Sequence, residues 1–369
     1  MDEALSADEA KLYDRQIRLW GAGAQRRMKQ AKVMLINMTA VNVEACKNLV
    51  LAGVSVTIVD SAVVAIEDVG ANFFAAAADV GKLRAEVCAS KARELNPFAT
   101  VTVLSDVDLS SLTTAAGFAT LQAQTVVCAA VVSRAERVAL DDACRAQKIP
   151  LLCAEVHGMV GSIFVDAGEI HEYVITKPGG DVAKDGKRTL VHPTLREAHT
   201  VSWDAAHRDA GRYGVPPAWF ALELQAHLGE SSAADADLAW ARALGVAHKR
   251  GLDLSAPAAE GLAAAVRASF DALRRCWRQE VAPVCAVIGG VLGQEVIKII
   301  SATNEPVSNY FVYDAWRGDG RVVLVSASRP ATRPVVQPAA LAAAAVPALS
   351  PAGGATAMVI DDDDIIVLE

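Results

Sequence analysis

Apolar positions recur at helical spacing from the start of the chain. Tyr13, Ile17 and Trp20 fall at i, i+4 and i+7, which predicts a helix over 8–30 interrupted at Gly21 and Gly23. From Lys32 the pattern changes. Val33-Met34-Leu35-Ile36 is a short unbroken apolar run, as expected of a strand covered on both faces. Val43 to Ala52 returns to helical spacing and stops at Gly53, and Val56-Thr57-Ile58-Val59 is a second strand ending at Asp60. Together these make a β-α-β unit of the expected length, about 30 residues. The stretches Thr100 to Leu104, Thr125 to Ala130 and Leu151 to Ala154 read as further strands. Ser133, with Glu136 three residues on, is a capping box that opens a helix. Strands alternating with helices predict an α/β fold with a mainly parallel, doubly wound sheet.

After Gly158 the texture becomes hairpin-like, with strands at Ser162 to Asp166 and Glu172 to Thr176. Residues 177–190 are rich in Gly, Lys and Asp and read as a loop. Residues 196–280 are Ala-rich and helical, and carry Trp203, Trp219, Trp240 and Trp277, which are expected to act as packing anchors. A long apolar helix from Val284 to Ile300 follows, then strands at Tyr310 to Tyr313 and Val322 to Val325, read as a return to the first domain. The expected organisation is a nucleotide-type domain in two parts, 1–176 and 281–328, around a loop and helical insertion at 177–280. A Pro/Ala-rich linker, 329–357, reads as disordered, and a distinct tail occupies 358–369.

Composition narrows the function. With hydrophobic residues at 53% the 369-residue chain can bury a large core, and a net charge of -8 argues against a nucleic-acid-binding role. The Ala-rich run near residue 340 is broken by Pro338 and Pro347, and no membrane span is expected. The N-terminus has no basic-then-apolar leader, which points to the cytosol or nucleus. Cys46, Cys88, Cys128, Cys144, Cys153, Cys276 and Cys285 form no C-x-x-C pair. No metal site is therefore expected, and the thiols read as small buried hydrophobes of a reducing compartment.

A strand followed by a helix invites a dinucleotide or ATP reading. Such a site needs a tight glycine turn, so that backbone N–H groups and the helix N-terminus approach a phosphate. Here the turn is Asn37-Met38-Thr39-Ala40-Val41-Asn42, with no glycine, and the side chains of Met38 and Val41 are expected to crowd the phosphate position. Asp60 stands where an acid can meet a ribose, although an Asp at a strand end is commonly just a turn residue. The frame of a nucleotide site is legible while its chemistry is missing.

Several longer motifs carry a resemblance. Tyr13-Asp14-Arg15-Gln16-Ile17-Arg18-Leu19-Trp20-Gly21 resembles the N-terminal signature of the ubiquitin-like-protein activating enzymes. The likeness continues through Lys47 to Gly53, Glu67 to Phe74, Val80 to Glu86 and Glu94-Leu95-Asn96-Pro97, and through Ala282 to Gly290 with Gln294-Glu295. This last segment is most similar to the small, regulatory subunits of the SUMO-activating enzymes. The resemblance implies a Rossmann-like adenylation fold of the ThiF/MoeB type, with a helical insertion and a C-terminal tail, paired with a related active half. It also implies that this half has lost its chemistry. Residues 37–42 replace the glycine loop, Phe73 stands for an arginine, Arg84 for the catalytic lysine, and Val132 falls near the magnesium aspartate.

On the same resemblance, ATP and magnesium are bound by a partner, the large catalytic subunit, and Arg15 reaches across to that ATP in trans. A guanidinium suits the task through bidentate contacts and a fixed charge. The plainer reading of Arg15 is a surface residue paired with Asp14 or Glu9, and Arg18 either supports it or pairs structurally. The tail, Asp361, Asp362, Asp363, Asp364, Ile365, Ile366, Val367 and Leu368, resembles a SUMO-interacting motif that adds as a strand to a sheet edge. A solubilising acidic end is the plainer reading. Implied partners are the large subunit, SUMO and, through the complex, a SUMO-conjugating enzyme, in the nucleus or the cytoplasm. The alternatives are the regulatory subunit of the neddylation-activating enzyme and, in a different class, a stand-alone nucleotide-dependent adenylyltransferase or oxidoreductase.

Overall fold

A computed structural model describes residues 5–104, 107–130, 132–176, 182–229 and 235–326, with side chains left out of account at 182–186. It divides into two units, 1–329 and 330–369. The helical stretch expected over 8–30, with breaks at Gly21 and Gly23, is three helices, α1 (Ala7–Leu12), α2 (Asp14–Trp20) and α3 (Ala22–Gln30), and Gly23 lies inside the third. Two features break it. Tyr13, fully buried, sits at φ −95° and ψ 13° between the first two, and Gly21 at φ +84° turns the chain between the second and third.

The β-α-β unit follows as β1 (Lys32–Ile36), α4 (Ala40–Leu51) and β2 (Ser55–Val59). Next come α5 (Asp68–Ala71), α6 (Arg84–Leu95), β3 (Val101–Val103), α7 (Leu109–Leu112), α8 (Phe118–Gln122) and β4 (Val126–Ala130). Then α9 (Arg134–Ala146) opens on the Ser133–Glu136 capping box, with Ser133 Oγ accepting from Glu136 N at 3.3 Å. The antiparallel pair β5 (Leu151–His157) and β6 (Val160–Asp166) follows. β7 (His171–Thr176) pairs with β8 (Val182–Leu190) in a separate two-stranded sheet, so the loop expected over 177–190 is a strand from Val182 onward. Backbone pairing with β7 overrides a composition that looked loop-like.

The insertion is α10 (Leu195–Ala198), α11 (Trp203–Asp209), α12 (Pro217–Leu228), α13 (Ala236–Lys249) and α14 (Glu260–Arg275). The chain then returns through α15 (Ala282–Ser301), β9 (Tyr310–Asp314) and β10 (Asp319–Val323). The main sheet runs β10-β9-β6-β5-β4-β1-β2-β3, parallel from β5 to β3 and antiparallel beyond. β1 lies between β2 and β4, the point where strand order reverses and where such sheets carry their ligand crevice.

Each face of this sheet carries its own core. Val33 and Leu35 of β1 pack with α4, α6 and α15, whereas Met34 and Ile36 pack with α9 and the insertion, including Trp203, Trp219 and Phe220. That split explains the unbroken apolar run in β1: both sets of alternating side chains are inside. The insertion is thus the second layer of the sheet rather than a separate globule. Trp203, Trp219 and Trp240 are buried anchors, and Trp277 stacks on His157 with ring centroids 3.8 Å apart.

α15 is long and apolar enough to span a membrane by composition, yet 67% of that stretch is buried in this core. Its Gly289 explains the close approach to α4, because an added Cβ would lie 2.6 Å from Val41 O and 2.4 Å from Glu44 Cβ. Gly290 meets nothing within 4 Å, so the close packing is the work of Gly289. Of the seven thiols, six are buried, and Cys276 is half-buried against Gly158.

Candidate functional site

The crevice at the C-terminal end of β1 retains the turn of a nucleotide loop without its glycines. Asn37 adopts φ +62°, a left-handed conformation that Asn tolerates better than most residues, and its side chain donates to Ala130 O at 3.0 Å. Asn42 holds the turn from the other side, donating to Ile36 O at 2.8 Å and Asn37 O at 2.9 Å. Met38 and Val41 do not crowd the crevice, contrary to expectation. Both are fully buried and face the core. What fills the phosphate position is a carboxylate. Glu280 accepts hydrogen bonds from Thr39 Oγ1 at 2.9 Å, Ala40 N at 2.6 Å and Val41 N at 3.2 Å. The N-terminus of α4, the anion-binding end of the unit, is therefore capped from within by a residue at the far end of the insertion. Burial pushes the Glu280 carboxyl above its ordinary pKa, against the pull of the three donors.

The short segment bearing Glu280 is itself held. Gly158 N donates to Gln279 O at 2.7 Å, Arg278 N donates to His157 Nδ1 at 2.9 Å, and Trp277 lies flat on that imidazole. Sequence reasoning missed Glu280, since nothing local to residue 280 refers to a turn some 240 residues earlier.

The other expected positions are also engaged internally. Asp60 does not present a free acid to a ribose. Its carboxylate accepts from Met38 N at 2.7 Å, Ala62 N at 2.9 Å and Arg84 Nε at 2.7 Å. Arg84, standing where the resemblance puts a catalytic lysine, thus ties α6 to β2 and also reaches Asp68 at 3.4 Å. Buried Asn72 bridges Met38 O at 2.9 Å and Phe74 N at 3.0 Å. Phe73 is exposed with Lys47 Nζ 3.8 Å above its ring, and Val132 is buried, so no carboxylate stands at the metal position. Among the described residues no cluster of His, Cys, Asp or Glu is arranged to hold a metal ion. A triphosphate with its magnesium does not fit these residues.

A network of buried charges on the insertion side serves packing. Arg137 pairs with Glu155 at 3.0 Å and Arg134 with Glu223 at 2.5 Å. Burial alone would raise the Glu155 carboxyl, but the Arg137 guanidinium and His157 outweigh it and hold its pKa below the usual range.

Arg15 stands apart from all this. Its two sequence-level partners are taken: Asp14 pairs with Arg18 at 3.0 Å and Glu9 with Lys29 at 3.0 Å. Arg15 is exposed, and no hydrogen bond or ion pair engages it among the described residues. The tail residues Asp361 to Leu368 and the linker 329–357 lie outside the described residues.

A match to the ThiF family spans residues 13–334, the whole of the two-part sheet with its insertion. The chain belongs to the ThiF family. Its relatives include SUMO-activating enzyme subunit 1B-1 of Arabidopsis thaliana, 35% identical over 332 residues, which cover 86% of this chain and 96% of that one. SUMO-activating enzyme subunit 1 of Bos taurus is 32% identical over 342 residues, covering 86% and 95%. A crystal structure of selenomethionyl PaaA shares the fold at a TM-score of 0.54 and 15% identity, over 87% of this chain and 84% of that one. ThiF-family membership brings ATP-dependent adenylation, generally with magnesium, as the chemistry of the fold. In this member the cradle for that chemistry is closed by Glu280.

Proposed function

We propose that this chain is the regulatory, non-catalytic subunit of a heterodimeric SUMO-activating enzyme, working in the nucleus. The observation that carries the reading is the closed cradle: a ThiF-family sheet intact around a phosphate position taken by its own Glu280 carboxylate. A fold kept without its ligand chemistry is suited to supporting a related, active half. The relatives named as subunit 1 of SUMO-activating enzymes match over 95–97% of their length and supply the pathway.

In this reading ATP and magnesium sit on the large catalytic subunit. That subunit adenylates the SUMO C-terminus and then takes it as a thioester, and the SUMO-conjugating enzyme is met through the complex. Arg15 extends to the partner's ATP phosphates, for which an exposed guanidinium with no hydrogen-bond or ion-pair partner among the described residues is suited. The segment from Val63 to Leu83 offers an apolar face for the partner. Val63, Ile66, Phe73, Val80 and Leu83 are all 45% or more exposed, an unusual density of exposed apolar side chains in so short a segment. The tail from Asp361 to Leu368 is a SUMO-binding strand, its β-branched residues adding to a sheet edge and its acids meeting basic residues beside it.

Co-expression with the large subunit of a SUMO-activating enzyme tests the core of the proposal, reading heterodimer formation and SUMO-dependent ATP–pyrophosphate exchange. The Arg15→Ala heterodimer assembles normally and loses at least about tenfold in exchange rate, since a charge-assisted contact to phosphate is worth about 1.5–3 kcal/mol. Exchange at the wild-type rate in the assembled variant refutes the arginine's role, and failure to pair with the large subunit refutes the proposal.

A further inference from the structure

Three segments far apart in sequence meet at one phenol. Tyr13 caps the start of α2, only 2% exposed, and its hydroxyl accepts a hydrogen bond from Asn96 Nδ2 at 2.8 Å. The same amide nitrogen donates to Val50 O at 2.8 Å, while Asn96 Oδ1 accepts from Phe98 N at 3.0 Å. Beside them Gly53, at φ +87°, leaves room for the ring: an added Cβ would stand 2.8 Å from Tyr13 Oη and 2.9 Å from Cζ. The carbonyls that end α4 are taken up in succession from this side: Val50 O by Asn96, Leu51 O by Gln16 at 3.2 Å and Ala52 O by Gln25 at 2.9 Å. Helix ends leave such carbonyls without their helical partners, and Val50 O also accepts from Gly53 N at 3.0 Å. Here they serve as the anchor for the short helices α2 and α3.

Arg15 lies two residues beyond Tyr13 on a helix of seven residues. A helix that short does not hold its own shape in water. Among the described residues no hydrogen bond or ion pair holds the Arg15 side chain, so its position is inherited from α2, and that of α2 from the junction just described. We infer that Tyr13 is a positioning residue for Arg15: its buried hydroxyl, locked by Asn96 over Gly53, fixes the helix that presents the guanidinium. The inference rests on the reading of Arg15 as the arginine supplied to the partner's nucleotide. It predicts that the Tyr13 hydroxyl matters to catalysis only through Arg15.

The test is a double-mutant cycle in the heterodimer with the large subunit, reading SUMO-dependent ATP–pyrophosphate exchange at subsaturating ATP. Heterodimer assembly is checked by gel filtration. Tyr13→Phe keeps the ring in its slot and removes only the hydroxyl. With Arg15 present, Tyr13→Phe lowers exchange about three- to tenfold, the range of one net hydrogen bond. In an Arg15→Ala background the same change costs less than about twofold, because coupled residues are not additive. Gly53→Ala, which drives a methyl into the ring, shows the same dependence on Arg15 with a larger loss. Equal losses in both backgrounds overturn the inference in favour of a purely structural tyrosine, as does no loss from Tyr13→Phe with Arg15 present. The Arg15→Ala single variant separates the two levels. Exchange at the wild-type rate there overturns the arginine reading and this inference together, whereas a falling Arg15→Ala with an unaffected Tyr13→Phe overturns the inference alone.

Discussion

Glu280→Ala is the sharpest probe of the closed cradle. The change removes an acceptor used by Thr39 Oγ1, Ala40 N and Val41 N at 2.9, 2.6 and 3.2 Å. Thr39 makes no cap bond of its own to the helix, so α4 loses the group standing in for its N-cap. Loss of an N-cap costs about 0.5–2 kcal/mol. A negative charge at a helix N-terminus adds about 0.3–1 kcal/mol. Part of this is offset, because burial disfavours the charged carboxylate and raises its pKa. These contributions sum to about 0.8–3 kcal/mol, so with the offset the expected loss is about 0.5–2.5 kcal/mol, measured as the shift of the cooperative urea transition. Glu280→Gln keeps one of the two acceptor oxygens and loses the bond made by the other, which costs about 0.5–1.5 kcal/mol, the net worth of a hydrogen bond. The vacated N-terminus then offers its amides to an added anion. At matched ionic strength, phosphate raises the urea midpoint of Glu280→Ala over that in chloride and leaves the wild type unmoved. A Glu280→Ala chain as stable as wild type, or a phosphate effect equal in both, refutes the argument that this carboxylate replaces a ligand phosphate.

Two further outcomes follow from other parts of the chain. Asp141, 1% exposed, accepts from Leu195 N at 2.7 Å where the insertion begins. Burial, then the nearby Asp166 charge, push its carboxyl up to about 8. A folded pKa above the unfolded one means that its contribution is complete below the ordinary value of 3.8 and is lost as pH rises through about 8. Asp141→Asn mimics the protonated acid, so its stability advantage grows across that window by up to about 1.4 kcal/mol per pH unit and levels off above it; parallel pH–stability curves for the two chains count against this. For the tail, a peptide of residues 358–369 titrated into labelled SUMO is expected to shift resonances along one sheet edge. Ala at Ile365, Ile366 and Val367 abolishes the shifts, and neutralising Asp361 to Asp364 only weakens them, less so in high salt. An absence of shifts at millimolar peptide leaves a solubilising end.

The alternation of strand and helix, the capping box at Ser133 and the return through the helix from Val284 and the strand from Tyr310 were legible in the sequence, because each is a local or periodic signal, whereas the last strand, expected over Val322 to Val325, lies at Asp319–Val323. The missing glycine loop was legible too, and the signature around Arg15 named the family. The sequence could not say that Asn37 would take the left-handed turn in place of a glycine, or that Met38 and Val41 would face the core, since both depend on which side of β1 each α4 residue meets. The loop expected over 177–190 became β8 because pairing with β7 satisfies a backbone whose side chains gave no strand signal. Only the tertiary structure could bring Glu280 to the N-terminus of α4, or gather Tyr13, Gly53 and Asn96 at one hydroxyl. These contacts join residues tens to hundreds apart, and their energy is that of hydrogen bonds made or lost in a buried place, which no pattern along the chain encodes. For Arg15, Asp14 and Glu9 were both candidates from spacing: Asp14 pairs instead with Arg18 one helical turn on, a local contact, and only the tertiary structure gives Glu9 to Lys29.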